Sequence, residues 1–195
     1  VKCYLMHCPV EPIDQSMYPN CNSSVDEQSP PVLKKAINVL EILVQQVVGS
    51  LEGQLLYAKT KYILRDFDSA SQIVNSCLNM NSESADAHLL SAQILYMQEN
   101  YVEAQQELEF AMSCNLLIKD NPEFNLLRAR ILFSTGDYEQ SLRVLESLLR
   151  LVNNENSRKK IKSISIQEIL SINLQLVHVY TKLNRPLEAQ EIIQE

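Results

Sequence analysis

SAQILYMQENYVEA, residues 91–104, is the stretch on which the fold prediction depends. Two alanines, Ala92 and Ala104, stand twelve positions apart in it, on either side of Asn100, a residue typical of tight turns. The same arrangement recurs in YAKTKYILRDFDSA (57–70), RARILFSTGDYEQS (128–141) and LVHVYTKLNRPLEA (176–189). A segment that recurs along a chain in this way indicates a repeated structural unit.

The four copies share two positions for small or modest side chains, which we call the small-residue slots. The first slot holds Ala58, Ala92, Ala129 and Val177, and the second holds Ala70, Ala104, Ser141 and Ala189. Successive copies are 34, 37 and 48 residues apart in both sets, and one further step of 34 back from Ala70 reaches Ala36. A period of 34 with paired small residues is typical of the tetratricopeptide repeat (TPR), a pair of antiparallel helices.

Close packing explains why small residues recur at these slots. A small side chain lets two helix backbones approach where a leucine would hold them apart. We expect larger residues to fill the surrounding space, namely Leu55, Leu89, Leu126 and Leu174 in the first helices and Val74, Leu108, Leu145 and Ile193 in the second. Because no pair buries its apolar stripe alone, pairs stack. The predicted fold is an all-α TPR solenoid, a right-handed superhelix of antiparallel helix pairs, with looser packing at Val177.

Capping and turn signals predict the helix bounds. The predicted helices are 31–48, 51–65, 67–80, 84–98, 101–115, 122–135, 138–152, 164–183 and 186–195. They divide a TPR array at 31–195 into the last helix of one repeat and repeats at about 51–83, 84–121, 122–163 and 164–195, a segment of a longer solenoid. The extra residues of two repeats fall in NLLIKDNP (115–122) and NNENSRKKIKSISI (153–166). Residues 1–30 are predicted to be a poorly ordered insertion or the end of a preceding repeat.

Composition argues against several functional classes. A net charge of −7 disfavours a nucleic-acid binder, which needs a basic face for phosphates. Five cysteines without CxxC spacing favour a reducing compartment over a disulfide framework. No apolar run reaches the roughly 18 residues of a membrane span, so no direct membrane insertion is expected. No phosphate-binding loop, nucleophile elbow or carboxylate pair is present, and we predict no enzyme activity, no catalytic residue and no cofactor.

Four features resemble functional sites but are better explained structurally. The step Asp86-Ala-His88 lies near the start of a predicted helix, where the equivalent positions hold Gln54, Asn125 and Asn173, so the position is polar without being a metal ligand. A second candidate combines residues whose spacing matches no common zinc site, namely Cys3, His7, Cys8 and Cys21. Cys77 falls at a helix-packing position. The basic run RKKIK, Arg158 to Lys162, suggests nuclear import or an acidic partner, but a solvated loop is the simpler interpretation.

The concave side of the predicted solenoid is the best candidate for binding a protein. One row of first-helix residues there contains Lys59, Gln93, Arg130 and His178, and the next contains Tyr62, Tyr96, Phe133 and Thr181. Consecutive aromatics offer an apolar ladder for a partner helix or extended segment, with cations to orient acidic groups. The alternative is that the aromatics pack against adjacent repeats. A clamp for a terminal carboxylate is not expected, because leucines stand where it needs asparagines, at Leu56, Leu90 and Leu127.

Three stretches are more specific than generic TPRs, namely SADAHLLSAQ (84–93), KDNPEFNLLRAR (119–130) and ILSINLQLVHVYTKLNRPLEAQEIIQE (169–195). In order and spacing, over about residues 51–195, they resemble the middle of the tetratricopeptide repeat protein 21 family, also called intraflagellar transport protein 139. The chain departs from the family pattern at LNRPLEA, where Arg-Pro replaces a glycine, and residues 1–48 match only vaguely.

The resemblance implies a non-enzymatic scaffold subunit of intraflagellar transport complex A, which serves retrograde transport and cargo entry in the cilium. The implied partners are the WD40-and-TPR subunits of that complex, with ciliary cargo adaptors as further candidates. The implied location is the cilium and cytoplasm, at the basal body and axoneme. Two alternatives stay open: a generic peptide-binding TPR adaptor, and a regulatory TPR region of a larger enzyme.

Overall fold

A computed structural model describes residues 31–47, 49–153 and 166–194. Within these residues the chain forms nine α-helices, one 3₁₀ helix and no strand. The helices are α1 Pro31–Gln46, α2 Leu51–Ile63, α3 Phe67–Met80, α4 Ala85–Met97, α5 Tyr101–Cys114, the 3₁₀ helix Leu116–Asp120, α6 Pro122–Ser134, α7 Tyr138–Asn153, α8 Ile166–Lys182 and α9 Pro186–Gln194.

The predicted all-α fold is confirmed, and every described helix end lies within two residues of its predicted bound. The 3₁₀ helix was not predicted, and it occupies the extra residues of NLLIKDNP. The predicted insertion at 1–30 and most of the insertion at 153–166, with its basic run, lie outside the described residues.

The chain forms two compact units, and the division falls within α4, between Ile94 and Leu95. In the first unit α2 packs against both α1 and α3. Gly53 of α2 is buried because its α carbon lies against the Leu43 side chain of α1, which leaves no room for a β carbon. In the second unit α6, α7, α8 and α9 share one apolar core, which includes Leu145 and Ile172.

The turns within the pairs α2–α3, α4–α5, α6–α7 and α8–α9 have the same backbone geometry. In each, one residue adopts a positive φ, and these residues are Arg65 (64°), Glu99 (65°), Gly136 (90°) and Asn184 (55°). The next residue donates its backbone N–H to the carbonyl five positions earlier, as Asp66 does to Lys61 at 3.0 Å. The positive-φ residue donates to the carbonyl three positions earlier, as Arg65 does to Tyr62 at 3.0 Å. This is the Schellman ending of a helix.

The residue after the positive-φ position also begins the next helix. Asp66 accepts a hydrogen bond from the backbone N–H of Ser69 at 3.3 Å, and Asp137 accepts one from Gln140 at 3.3 Å. Asn100 occupies the same cap position without a side-chain hydrogen bond. One residue therefore closes the first helix with its backbone and, where it is aspartate, caps the second with its side chain.

The small-residue slots lie at the centre of the helix packing. Six of them are fully buried, namely Ala58, Ala70, Ala92, Ala104, Ala129 and Ser141, and Ala189 is nearly so. Ser141 Oγ donates a hydrogen bond of 2.8 Å to the carbonyl of Ala129, so the helix backbones of this pair do meet at their slots. Val177 is only half-buried.

Two residues that we predicted to fill the core are exposed, which corrects that prediction. Leu174 of α8 is 54% exposed and Ile193 of α9 is 71% exposed. Leu126, at the slot of Leu174 one repeat earlier, is buried in the core shared with Ile172 and other residues of α8. Among the described residues α8 packs against α6, α7 and α9, and these helices leave Leu174 uncovered. The repeat pattern thus identifies a stacking position, whereas burial also requires a neighbour.

Candidate partner-binding surface

The three aromatics predicted to line a groove lie at the ends of the first helices of their pairs. Each ring packs against the aromatic residue that begins the next helix, five positions later. The ring centroids are 6.0 Å apart for Tyr62–Phe67, 5.7 Å for Tyr96–Tyr101 and 5.2 Å for Phe133–Tyr138. Their planes are tilted by 51–59°, an arrangement that aromatic pairs favour. We did not predict these pairs, although the spacing of five is visible in the sequence.

The ring pairs limit what the aromatics can offer to a partner. Tyr62 is only 5% exposed, whereas Tyr96 and Phe133 are half-buried. Each ring spans its own tight turn, so its first role is to hold two helices together. In the second unit, Tyr96 and Phe133 keep part of their surface open to solvent.

The polar row of the predicted groove is also partly buried. Lys59 and Arg130 are half-buried and Gln93 is buried, whereas His178 is exposed. Thr181, the last residue of the aromatic row, is also exposed. The Thr181 hydroxyl donates a hydrogen bond of 2.7 Å to the carbonyl of Val177 in its own helix. Lys59, Tyr62 and Gln93 lie in the first unit, and Tyr96, Arg130 and Phe133 lie in the second.

A cluster of polar side chains in the first unit joins α1 to α2. Tyr57 Oη donates to Glu41 Oε1 at 3.1 Å, and Lys61 Nζ lies 5.7 Å from the Tyr57 ring centroid and 3.2 Å from Asp66 Oδ2. Burial raises the pKa of Tyr57, and the nearby lysine only partly opposes this. Burial also acts to raise the pKa of Asp66, but hydrogen bonds from Ser69 and Lys61 outweigh it and the pKa is lowered.

The second unit contains a comparable cluster between α7 and α8. Tyr180 Oη donates to Glu146 Oε1 at 3.4 Å, and the Arg185 guanidinium lies 5.3 Å from the Tyr180 ring centroid. Arg185 also pairs with Glu188 at 2.8 Å. Burial raises the pKa of Tyr180, as it does for Tyr57. In each unit a tyrosine thus binds a glutamate of the preceding helix, so these ionisable groups join helices.

His88 lies in the first turns of α4. Its Nε2 atom is 3.0 Å from the carbonyl oxygen of Ser82, and the Ser84 hydroxyl accepts a hydrogen bond from the backbone N–H of Ala87 at 3.4 Å. The histidine therefore contacts the turn that precedes its helix. Within the described ranges no group of three or more His, Cys, Asp or Glu side chains is arranged to hold a metal ion. The other predicted metal combination, Cys3, His7, Cys8 and Cys21, lies outside those ranges.

Cys77 of α3 is fully buried, and its Sγ donates to Gln54 Oε1 at 3.5 Å. Burial raises the pKa of this thiol, which disfavours the reactive thiolate. In the part of the chain that the structure covers, no helix is both long and apolar enough to cross a membrane.

Repeated helix pairs, joined by one type of turn and packed through small residues, define a helical-repeat protein of the scaffold type. Two models of the tetratricopeptide repeat protein 21 family match the chain, its second ARM domain over residues 1–100 and its ARM repeat over residues 116–195. The chain belongs to this family. The family that we recognised from residues 51–195 is therefore confirmed, and the match also includes residues 1–48, which we had considered vague.

Individual relatives of the chain belong to the same family. The chain is 29% identical to tetratricopeptide repeat protein 21B of Homo sapiens and 30% identical to tetratricopeptide repeat protein 21A of the same organism, over 98% of its length in both cases. It is 18% identical to the Caenorhabditis elegans homolog over 81% of its length. The chain spans only 14% of the length of the two human relatives.

Solved structures support the fold. The crystal structure of MamA aligns with a TM-score of 0.58 and 12% identity, covering 89% of this chain and 92% of MamA. A chain of the Cut9–Hcn1 hetero-tetramer of the APC/C aligns with a TM-score of 0.50 and 13% identity, covering 92% of this chain and 40% of that one. At such low identity, these similarities concern the fold alone.

Proposed function

We propose that this chain is a non-enzymatic scaffold segment of a subunit of intraflagellar transport complex A, supporting retrograde transport and cargo entry in the cilium. Its partners would be the WD40-and-TPR subunits of the complex and ciliary cargo adaptors, at the basal body and along the axoneme. The observation that carries the proposal is membership of the tetratricopeptide repeat protein 21 family along nearly the whole chain.

The surface of the chain fits a scaffold role. The tyrosine–glutamate pairs and the ring pairs join helices of this chain to one another. Binding of a partner would therefore use the remaining exposed surface. We propose contact residues separately for each unit, namely Lys59 in the first and Tyr96, Arg130 and Phe133 in the second, all of which are half-buried. The half-buried cations among them would orient acidic groups of a partner. Tyr62 and Gln93, also predicted to line the groove, are buried and are not proposed as contacts.

Purification of the full-length protein from ciliated cells tests the proposal. We expect the subunits of intraflagellar transport complex A among the recovered proteins, identified by mass spectrometry, and loss of retrograde transport when the protein is depleted. Recovery of intact protein without any of these subunits would contradict the proposed function.

A second test concerns the contact residues. Replacing the groove aromatics by alanine would also break the ring pairs, so charge reversal is the cleaner change. We expect Arg130→Glu to weaken partner recovery while Arg143→Glu, an equal charge change on the exposed side of α7, leaves it unaltered. Equal recovery of the partner with both variants would show that Arg130 does not belong to the contact surface.

The adaptor and enzyme-regulatory alternatives make different predictions. A peptide-binding adaptor would retain one short linear peptide and no complex A subunit. If the chain is a regulatory region of a larger enzyme, the purified full-length protein would show a catalytic activity.

A further inference from the structure

A cleft of about 350 Å³ lies in the second unit, between α5 and α6 and beside the start of α7. Its floor is formed by the buried side chains of Leu108, Phe124 and Ile131. Met112 and Leu132, both half-buried, form its walls. The cleft is therefore apolar at its base, and none of its lining residues belongs to the predicted groove, although both surfaces use α6.

The 3₁₀ helix Leu116–Asp120 separates the two long helices of the cleft. It packs against both of them, with Ile118 buried, and its ends are fixed by side chains. Asn115 Oδ1 accepts a hydrogen bond from the N–H of Leu117 at 3.0 Å, and Asn121 Oδ1 accepts one from Glu123 at 2.9 Å. The three extra residues of this repeat thus form an ordered spacer between α5 and α6.

Opposite charges stand on the two sides of the cleft. Glu109 and Gln105 belong to α5, where Gln105 Nε2 donates to Glu109 Oε1 at 3.4 Å. Arg128 belongs to α6, is exposed, and forms no hydrogen bond or ion pair with any residue in the described ranges. An apolar floor with a guanidinium at its edge that is unpaired among the described residues is complementary to an apolar side chain that is followed by a carboxylate.

We propose that this cleft binds an amphipathic helix of a protein partner, with apolar side chains against the floor and an acidic side chain at Arg128. The lining residues extend over about two turns of each wall helix, from Gln105 to Met112 on α5 and from Phe124 to Leu132 on α6. The cleft is therefore as long as two turns of a docked helix, over which apolar anchors recur at i, i+4 and i+7. The inference rests on the proposed scaffold role but not on its ciliary setting.

Site-specific photo-crosslinking in the full-length protein tests the cleft. The photoreactive amino acid p-benzoyl-phenylalanine replaces Gln105 at the cleft, or, as the control, the exposed neighbour Gln106, which does not line the cleft. We expect Gln105, and not Gln106, to crosslink to one partner segment, whose sequence shows apolar residues at helical spacing and an acid one turn away. No crosslink, equal crosslinking at both positions, or a basic or extended segment would overturn the proposal.

Charge reversal supplies the second readout. We expect Arg128→Glu to reduce the Gln105 crosslink about tenfold or more, because two like charges would then face each other. Reversing the acid of the captured segment to lysine restores it, while Arg143→Glu has no effect. If circular dichroism shows that the Arg128→Glu variant is folded and it still crosslinks normally, the proposal is overturned. If complex A subunits still co-purify in that case, the scaffold role stands and only this docking site is rejected.

Discussion

The positive-φ position of the turns offers a paired test of the fold, in which two opposite substitutions should shift stability in opposite directions. Glu99 and Gly136 occupy the same position in successive turns, with φ values of 65° and 90°. Glycine adopts this conformation without strain, whereas a residue with a β carbon does not. We therefore expect Glu99→Gly to stabilise the protein and Gly136→Ala to destabilise it.

The expected size follows from two opposing contributions. A side chain in the left-handed region costs roughly 1–2 kcal/mol, and glycine loses about 0.4–1 kcal/mol more backbone entropy on folding than alanine. A β carbon on Gly136 would meet no atom within 4 Å, so steric clash adds nothing. The net change is therefore about 1 kcal/mol in each case, or roughly 2–4 °C in Tm for a chain of this size.

Urea unfolding, followed by circular dichroism at the helical band, measures both changes. Gln106→Gly is the control, because it places glycine in the exposed interior of α5, where it should cost about 0.5–1 kcal/mol. A lower unfolding midpoint for Glu99→Gly, or shifts of the same sign for Glu99→Gly and Gly136→Ala, would refute the shared turn geometry.

Ala92→Leu should destabilise the fold by about 1–3 kcal/mol through overpacking, and an unchanged unfolding midpoint would count against close packing at this slot. Ser141→Ala should cost no more than about 1.5 kcal/mol, because it removes one hydrogen bond to Ala129 and keeps the size that other repeats use; a larger loss in the same urea assay would mean that the bond is essential. Asp66→Asn keeps a helix cap and removes the ion pair with Lys61. Because the pKa of Asp66 is lowered on folding, the ionised carboxylate stabilises the protein above about pH 4 and this effect fades as the pH falls below that value. The midpoint of the variant should therefore approach that of the parent in acid, and a constant difference at all pH values would contradict the assignment.

The repeat and its helices were predictable because they depend on local and periodic signals. Ala92 and Ala104 mark a fixed interval, and Asn100 lies at the cap between them. The same interval recurs at distances that a chance match would not preserve. Helix bounds followed from such residues because caps and turns are decided by a few neighbouring side chains.

Other features depend on contacts that a periodic pattern does not contain. Phe133 uses part of its ring surface to pack against Tyr138 because the turn brings the two helix ends together. Leu174 has the character of a core residue, yet its exposure is decided by what packs beside α8. The cleft at Leu108 and Arg128 depends on the spacer between two helices, whose conformation the sequence did not reveal.

The shared turn residue has a consequence for how this architecture tolerates change in length. Because Asp137 ends α6 and caps α7 at once, a single inserted residue would separate the two tasks and spoil both. The extra residues of this chain accordingly lie between helix pairs, after α5 and after α7, while the interval of twelve within each pair never varies. In this chain, added length thus falls in the links between pairs, whereas the interval across each turn stays constant.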